Sequence, residues 1–260
     1  MLTEYLLQAR DALMAGGVTG PHQSHSRKNT LNTIRALVDG DNDPAFGLDG
    51  FDKYSAGEVL SFLSELTGCS DDIDDAEGAD TIDTDKTVLA IVEAALRLRQ
   101  SARRGDTLLA ATGHPTGLLE HHIRVLDAYR QAGGKILRLR EEEKFSLGRG
   151  LGEIRYIGGV GCLSTGASLV HTHSAEPMVA MLEAQPWPDI VLGDHGYAGA
   201  AIARGIPVVA GMDINDPALA VAWAEHPGEV SIIPFDDNRP PRNYEASWTI
   251  FEDVLAGLDP

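Results

Sequence analysis

Residues 189–216 read DIVLGDHGYAGAAIARGIPVVAGMDIND. The apolar run at 189–192 predicts a β-strand, residues 197–204 predict a helix, and residues 206–209 predict a second strand. Both strands are followed by polar residues that are poorly suited to a buried core. Strands that alternate with helices in this way form a mostly parallel sheet with helices on both of its faces.

The same alternation extends over residues 106–260, and we expect one α/β core there. Within it, residues 153–170 contain two β-like runs around a glycine-rich turn, which predicts a hairpin. The expected architecture is a Rossmann-like sheet of three layers, with most of its strands parallel. Residues 1–105 instead show mainly helical periodicity. We expect them to form a helical N-terminal segment that packs on the core or caps it.

Composition and charge limit the classes of function. The chain has 260 residues, of which 43% are apolar and 23% charged, as is typical of a globular protein. Its formal charge of −18 repels nucleic-acid phosphates and anionic lipids, so we expect neither as a partner. Two distant cysteines and an N-terminus without a signal or membrane-spanning pattern favour a cytoplasmic protein. A homodimer is compatible with the sequence.

Polar motifs follow the predicted strands directly. They are Thr112-Gly113-His114-Pro115, His171-Thr172-His173-Ser174, Gly193-Asp194-His195-Gly196, Asp213-Ile214-Asn215-Asp216 and Asp236-Asp237-Asn238. In open α/β sheets, ligands bind outside the carboxyl ends of the strands. We therefore expect these five motifs to converge on one edge of the sheet and to form an active site.

The motifs contain three candidate catalytic residues. His114 is suited to act as an acid, a base or a nucleophile. Asp194 can bind a cation or orient His195, and in a purely structural interpretation it caps the next helix. Helix N-termini and basic side chains both attract phosphate, so they predict the substrate contacts. The candidate substrate-binding residues are Arg27, Thr112, Gly113, Ser174 and Gly196.

A divalent cation is the predicted cofactor. His171 and His173 have strand spacing, so both imidazoles face one side and can bind one ion, although a solvated histidine pair is the structural alternative. Asp194 and Asp213 are the candidate carboxylate ligands. Ligation by histidine favours zinc, whereas ligation by carboxylates favours magnesium. Such an ion would neutralise phosphate oxygens and activate water.

The motifs at 112–115, 171–174, 193–196 and 213–219 together resemble an actinobacterial family described as phosphatases. The segments Ser26-Arg27 and Gly47-Leu48-Asp49 are also similar to that family, and the resemblance covers most of the chain. It implies phosphomonoester hydrolysis and an active site that contains the histidines of the motifs. We therefore expect a hydrolase of a small phosphorylated metabolite.

Two other functions are compatible with the sequence. A non-catalytic protein that binds a sugar phosphate or nucleotide would use the same helix N-termini without an activated nucleophile. Residues 83–87, DTDKT, match the DxDxT pattern of haloacid-dehalogenase-like phosphatases, in which Asp83 and Asp85 would react. That pattern should follow an apolar strand, which residues 78–82 do not resemble. A helix cap is therefore the better interpretation of Asp83.

Overall fold

The protein is built around one large β-sheet and a separate two-stranded ribbon. The computed structural model describes residues 3–146 and 151–259. In chain order, its strands are β1 (Gly20–Pro21), β2 (Thr81–Ile82), β3 (Thr107–Thr112), β4 (Lys135–Ile136), β5 (Lys144–Ser146), β6 (Leu151–Ile157), β7 (Val160–Ser164), β8 (Ile190–Gly193), β9 (Val208–Met212) and β10 (Val230–Pro234).

The large sheet has the strand order β10-β9-β8-β3-β7-β6-β5. Every pair from β10 to β7 is parallel, whereas β6 and β5 extend the sheet in antiparallel register. Leu108, near the start of β3, pairs with Ile136 of β4, and Ala111, near its end, pairs with Gly161 of β7. The predicted, mostly parallel α/β fold is confirmed, and the predicted hairpin corresponds to β6 and β7.

Helices connect the strands and cover both faces of the sheet. In chain order they are α1 (Glu4–Ala15), α2 (Arg27–Val38), α3 (Ala56–Thr67), α4 (Thr84–Arg104), α5 (Pro115–Gln131), α6 (Glu176–Met181), α7 (His195–Ile202), α8 (Pro217–Glu225) and α9 (Glu245–Ala256), with 3₁₀ turns at Phe51–Lys53 and Pro241–Tyr244. Short turns join β3 to α5, β8 to α7 and β9 to α8. Because these strands are parallel, the three helices begin at the same edge of the sheet.

The sheet has a hydrophobic core on each face, because successive strand residues point to opposite sides. Leu108 belongs to a buried cluster with side chains of α1, α4, α5 and α9. Leu109 belongs to a second cluster, with side chains of α2, α3, α6, α7 and α8. The three-layer arrangement follows from these two clusters. The helices before residue 105 contribute to both outer layers, and a domain boundary at residue 106 stays a prediction.

The haloacid-dehalogenase-like alternative is wrong. Asp83 is the N-cap of α4, and its Oδ1 accepts hydrogen bonds from the backbone N–H groups of Asp85 and Lys86. The preceding strand, β2, pairs with β1 in the small ribbon and not with the large sheet. Asp83 therefore stabilises a helix start and does not end a strand of the large sheet.

No helix in the described part of the chain is both long enough and apolar enough to cross a membrane. The 21-residue helix α4 illustrates why, since it is amphipathic. It buries Val88, Ile91 and Leu98 against the sheet, while its other face carries charged residues.

Candidate active site

The loops that follow the parallel strands meet at one edge of the sheet, which we call the carboxyl rim. The segment after β7 also reaches this rim, where the Thr172 N–H donates to the carbonyl oxygen of Gly113 at 2.9 Å. All five polar motifs are therefore brought together, as the sequence predicted. The histidines and carboxylates gathered there are His114, His171, His173, Asp194, His195, Asp213, Asp216, Asp236 and Asp237.

The turn after β3 is held by contacts within the protein. The hydroxyl of Thr112 accepts from the His114 N–H at 3.0 Å, and the Gly113 N–H donates to Asp194 Oδ1 at 2.6 Å. A Cβ atom on Gly113 would lie 2.4 Å from the carbonyl oxygen of Thr172, so only glycine fits there. Thr112 and Gly113 were predicted to bind substrate. The structure places their polar groups in the turn itself, where they position His114.

Asp194 and His195 follow β8 and are almost completely buried. Asp194 Oδ1 lies 3.5 Å from His195 Nδ1, and Oδ2 lies 3.5 Å from His122 Nε2. Burial alone would raise the pKa of Asp194, but His122 and His195 hold it below its usual range. Asp194 is therefore placed to orient the rings of His122 and His195. It belongs to none of the three groups of potential metal ligands described below. His195 adopts a left-handed backbone conformation, with φ of 43°, which is uncommon outside glycine.

Gly196, in the first turn of α7, allows residues 171–174, which we call the histidine segment, to pack closely against that helix. A Cβ atom on it would lie 2.3 Å from the carbonyl oxygen of His173 and 2.4 Å from that of Ser174. Ser174 itself is exposed, and its hydroxyl accepts from the Glu176 N–H at 3.1 Å, near the start of α6. Gly196 and Ser174 were both predicted to bind substrate. In the structure, Gly196 provides space for the histidines and Ser174 supports the next helix.

Four imidazole rings form a cluster at the rim. The ring of His114 stacks on that of His171 with centroids 4.5 Å apart, and His173 lies 4.8 Å from His195. His171 is exposed at its outer side, but partial desolvation and the neighbouring imidazoles lower its pKa to about 4, so its ring is neutral at pH 7. Ligand nitrogens of His171, His173 and His195 lie within 4.8 Å of one another. This histidine group has the donor type and spacing of a metal site.

Two carboxylates extend the cluster from His195. Asp237 lies between two histidines, with Oδ1 3.1 Å from His114 Nδ1 and Oδ2 3.1 Å from His195 Nε2. Asp216 Oδ2 lies 3.5 Å from the same Nε2 atom. Burial opposes ionisation of Asp237, but the two histidines bring its pKa well below the usual range. His195, Asp216 and Asp237 form a second potential ligand group.

A third group lies further along the rim and includes a residue that the sequence analysis missed. His22 Nε2 lies 2.5 Å from Asp213 Oδ1 and 3.8 Å from Asp236 Oδ2. His25 Nε2 lies 3.5 Å from Asp213 Oδ2. His22 and His25 belong to the loop between β1 and α2, which reaches the rim from the N-terminal part of the chain. The signal that identifies this loop is its basic, histidine-containing character in an otherwise acidic region.

Arg27, which was predicted to bind substrate, lies elsewhere. Its guanidinium is buried and pairs with Asp80 at 2.8 Å, and it also donates to the carbonyl oxygens of Asp72 and Asp75. Its donors are therefore used to hold the acidic loop before β2. The expectation that Arg27 reaches over the rim is wrong, because the nearby loop supplies a buried partner for its charge.

The donor set at the rim fits divalent cations. The five rim carboxylates, Asp194, Asp213, Asp216, Asp236 and Asp237, are each at most 4% exposed. Buried charges are normally paired or bound to metal. Yet Asp213 Oδ2, Asp194 Oδ2 and His195 Nδ1 have no hydrogen-bond partner among the residues that the structure describes.

The helix N-termini at the rim add positive potential. α5, α7 and α8 begin there at His114, Asp194 and Asp216, and none of the three starts has a side-chain hydrogen bond to its first turn. The partial positive charge of a helix N-terminus, together with free N–H groups, favours an anion. The rim thus combines ligands for cations with groups that attract an anionic substrate.

Comparison with known proteins agrees with this chemistry. The model of a protein family described as "Phosphatase" matches residues 1–251. The protein of Streptomyces coelicolor named Phosphatase SCO2771 is 38% identical over 263 aligned residues, which cover 99% of this chain and 95% of that protein. Both matches include every rim residue described above. The chain therefore belongs to this phosphatase family.

Proposed function

We propose that the protein hydrolyses phosphomonoesters of small metabolites at the carboxyl rim, with the help of at least one divalent cation. Membership of the phosphatase family supports a hydrolase of this class. The observation that carries the location is the histidine group of His171, His173 and His195, next to the buried Asp216 and Asp237. Histidine and carboxylate donors at these separations are the usual ligands of catalytic metal ions.

Electrostatics supports the need for a cation. The chain carries a formal charge of −18, and five buried carboxylates surround the site. An anionic phosphate would be repelled unless positive charge were added locally. Helix N-termini supply part of it, each equivalent to roughly half an elementary charge. A divalent cation held by the histidine group would supply the rest. When bound, it would also polarise phosphate and activate water.

Three other side chains of the rim have distinct roles in positioning, proton transfer and metal binding. Asp194 holds the Gly113 N–H and lies against His195, so it keeps the turn after β3 and the ligand histidine in register. His114 has Nδ1 directed at Asp237, which leaves Nε2 to exchange a proton with the leaving group or with water. His195 belongs to two ligand groups, and we therefore assign it to metal binding. Asp213 lies in the third group and is treated below.

The test is phosphate release from sugar phosphates, nucleoside monophosphates and 4-nitrophenyl phosphate, before chelation, after it, and after zinc or manganese is restored. We expect release to be lost on chelation and recovered with metal. His171→Asn should lower turnover by about 100-fold or more, as for the loss of an acid–base group or metal ligand. His226→Asn, at an exposed position outside the rim, is the matched control and should retain full activity.

Two outcomes would contradict the proposal. Undiminished phosphate release from completely metal-free protein would show that no cation is required. Tight binding of phosphate esters without turnover, in protein loaded with metal, would instead support the non-catalytic binding protein considered from the sequence.

A further inference from the structure

We propose that the rim holds a second divalent cation, bound mainly by the carboxylates of Asp213 and Asp236, and that His22 positions Asp213 without being a ligand. This inference rests on the proposed metal-dependent function and adds to it a separate site with different donor chemistry. It concerns the third group described above, formed by His22, Asp213 and Asp236. Asp216 and Asp237 lie between this group and the histidine group.

Asp213 supplies the first observation. It is 1% exposed, and its Oδ1 accepts from the Ile214 N–H at 2.6 Å and contacts His22 Nε2 at 2.5 Å. Its Oδ2 has no hydrogen-bond partner among the described residues, and His25 Nε2 lies 3.5 Å from it. A buried carboxylate oxygen without a partner is costly. A bound cation would satisfy this oxygen directly.

Asp236 is held in place next to Asp213. The Ser24 hydroxyl lies 2.7 Å from its Oδ1 and 2.9 Å from its Oδ2, and the Asn238 N–H donates to Oδ1 at 3.1 Å. Asp236 is also 1% exposed. Ligand atoms of His22, Asp213 and Asp236 lie within 4.8 Å of one another. The two carboxylates thus share a small, buried space that hydrogen bonds preorganise.

The hydrogen bonds of His22 decide its role. Its Nδ1 accepts from the backbone N–H groups of His25 at 2.9 Å and of Ser24 at 3.2 Å. A neutral imidazole whose Nδ1 accepts carries its proton on Nε2, and here that proton points at Asp213 Oδ1. A ligand histidine shows the opposite arrangement, with its second nitrogen donating outward. His22 is therefore a positioning residue for Asp213.

The two sites differ in the type of donor. His171, His173 and His195 offer nitrogen, which suits zinc, whereas Asp213 and Asp236 offer oxygen, which suits magnesium or manganese. Asp216 connects the two regions. Its Oδ2 accepts from the Asp213 N–H at 3.0 Å and lies 3.5 Å from His195 Nε2. Neighbouring cations would act together on one phosphate group, as in other two-metal phosphatases.

The test measures metal content per chain. Protein stripped with chelator is loaded with zinc and manganese, separated from free metal by gel filtration, and analysed by mass spectrometry of the metals. The electron paramagnetic resonance of manganese reports the oxygen-rich site separately. We expect two ions per chain in the parent and one in Asp236→Asn, with loss of the tight manganese signal. Asp127→Asn, at a half-exposed position on α5, is the matched control and should keep both ions.

His22→Gln separates positioning from ligation. Glutamine retains a donor and an acceptor, so we expect the variant to bind two ions, with manganese affinity reduced about 10- to 100-fold. If His22→Gln loses one ion as completely as Asp236→Asn, His22 is a ligand and its assignment here is wrong.

The outcomes distinguish this inference from the proposed function. One ion per chain in the parent, unchanged in Asp236→Asn, would overturn the second site while leaving a one-metal phosphatase intact. Two ions per chain without phosphate release would support the second site and contradict the phosphatase activity. If the aspartate variants fail to fold, as judged by circular dichroism, the stoichiometry and manganese signal of the parent decide the question.

Discussion

Replacing Gly196 by alanine creates close contacts with two backbone carbonyl oxygens at the rim, those of His173 and Ser174. The new Cβ would lie 2.3 Å from the His173 carbonyl oxygen. That contact must lengthen to at least about 3.3 Å, so the segment that carries His171 and His173 must shift by about 1 Å relative to His195. A displacement of this size at a catalytic site can cost about 100-fold in rate.

The stability effect of this substitution has two parts. Forcing a methyl group into a packed contact costs about 1–3 kcal/mol, and Gly→Ala within a helix gains about 0.5–1 kcal/mol. We expect a net loss of about 0–2.5 kcal/mol, and each kcal/mol lost lowers Tm by roughly 2–4 °C in a chain of about this size. Gly57→Ala is the matched control. Gly57 also occupies the second position of its helix, α3, but its nearest crowding atom is 4.0 Å away.

Three measurements on Gly196→Ala test the reasoning: thermal unfolding, zinc affinity by competition with a chelating dye, and phosphate release. Gly57→Ala should unfold at the parental temperature or above it. Its zinc affinity and its rate of phosphate release should equal those of the parent. Gly196→Ala should bind zinc at least about 10-fold more weakly and turn over about 100-fold more slowly, as for a disturbed metal site. Parental zinc affinity and turnover in a folded Gly196→Ala protein would refute the claim that close packing of the histidine segment forms the site.

Three further predictions concern charges in the interior. Arg27→Met should lower the free energy of unfolding by about 3–5 kcal/mol, because Asp80 loses its buried partner. Turnover per folded molecule should stay at the parental value. Urea unfolding and phosphate release, measured on the same preparation, check both expectations. Asp237→Asn should lower turnover at least about 100-fold with little loss of secondary structure, because His114 and His195 both lose their shared carboxylate; an unaltered rate would contradict its role. Burial lowers the pKa of His121 in the native state. At pH values below the ordinary histidine pKa of 6.5, the unfolded chain therefore binds a proton at this residue that the native state does not. Stability should therefore fall with decreasing pH below 6.5, by up to about 1.4 kcal/mol per pH unit from this residue, and the fall should be shallower in His121→Leu.

The parallel sheet was predictable from the sequence because the signals for its strands and helices lie close together in the chain. In residues 189–216, apolar strands, helical periodicity and polar ends follow one another within 28 residues. The same local signals place His114, Asp194 and Asp213 directly after strands, and parallel strands bring their carboxyl ends to one edge. His171 and His173 differ, because they lie seven or more residues after the end of β7, in a segment without strand structure. They do converge with His195, but neither the strand-end rule nor the predicted strand spacing of the two histidines accounts for it.

Partners far apart in the chain were not predictable in this way. His22 meets Asp213 across 191 positions, and the sequence offers no period or motif that joins them. Arg27 was misassigned for the related reason that its partner, Asp80, lies 53 residues away in an acidic loop that looks solvated. The sequence predicts phosphate contacts at Gly113 and Gly196 because each lies at the start of a helix. The structure shows that each makes room for a backbone carbonyl of the segment at 171–174.

The most direct test of the central claim is a crystal structure of the protein with zinc and inorganic phosphate, with anomalous diffraction measured at the zinc absorption edge. The proposed function requires an anomalous peak about 2.0–2.1 Å from nitrogen atoms of His171, His173 and His195, with phosphate bound to that ion at the N-termini of α5 and α7. Zinc and phosphate bound elsewhere, with these histidines free of both, would contradict it.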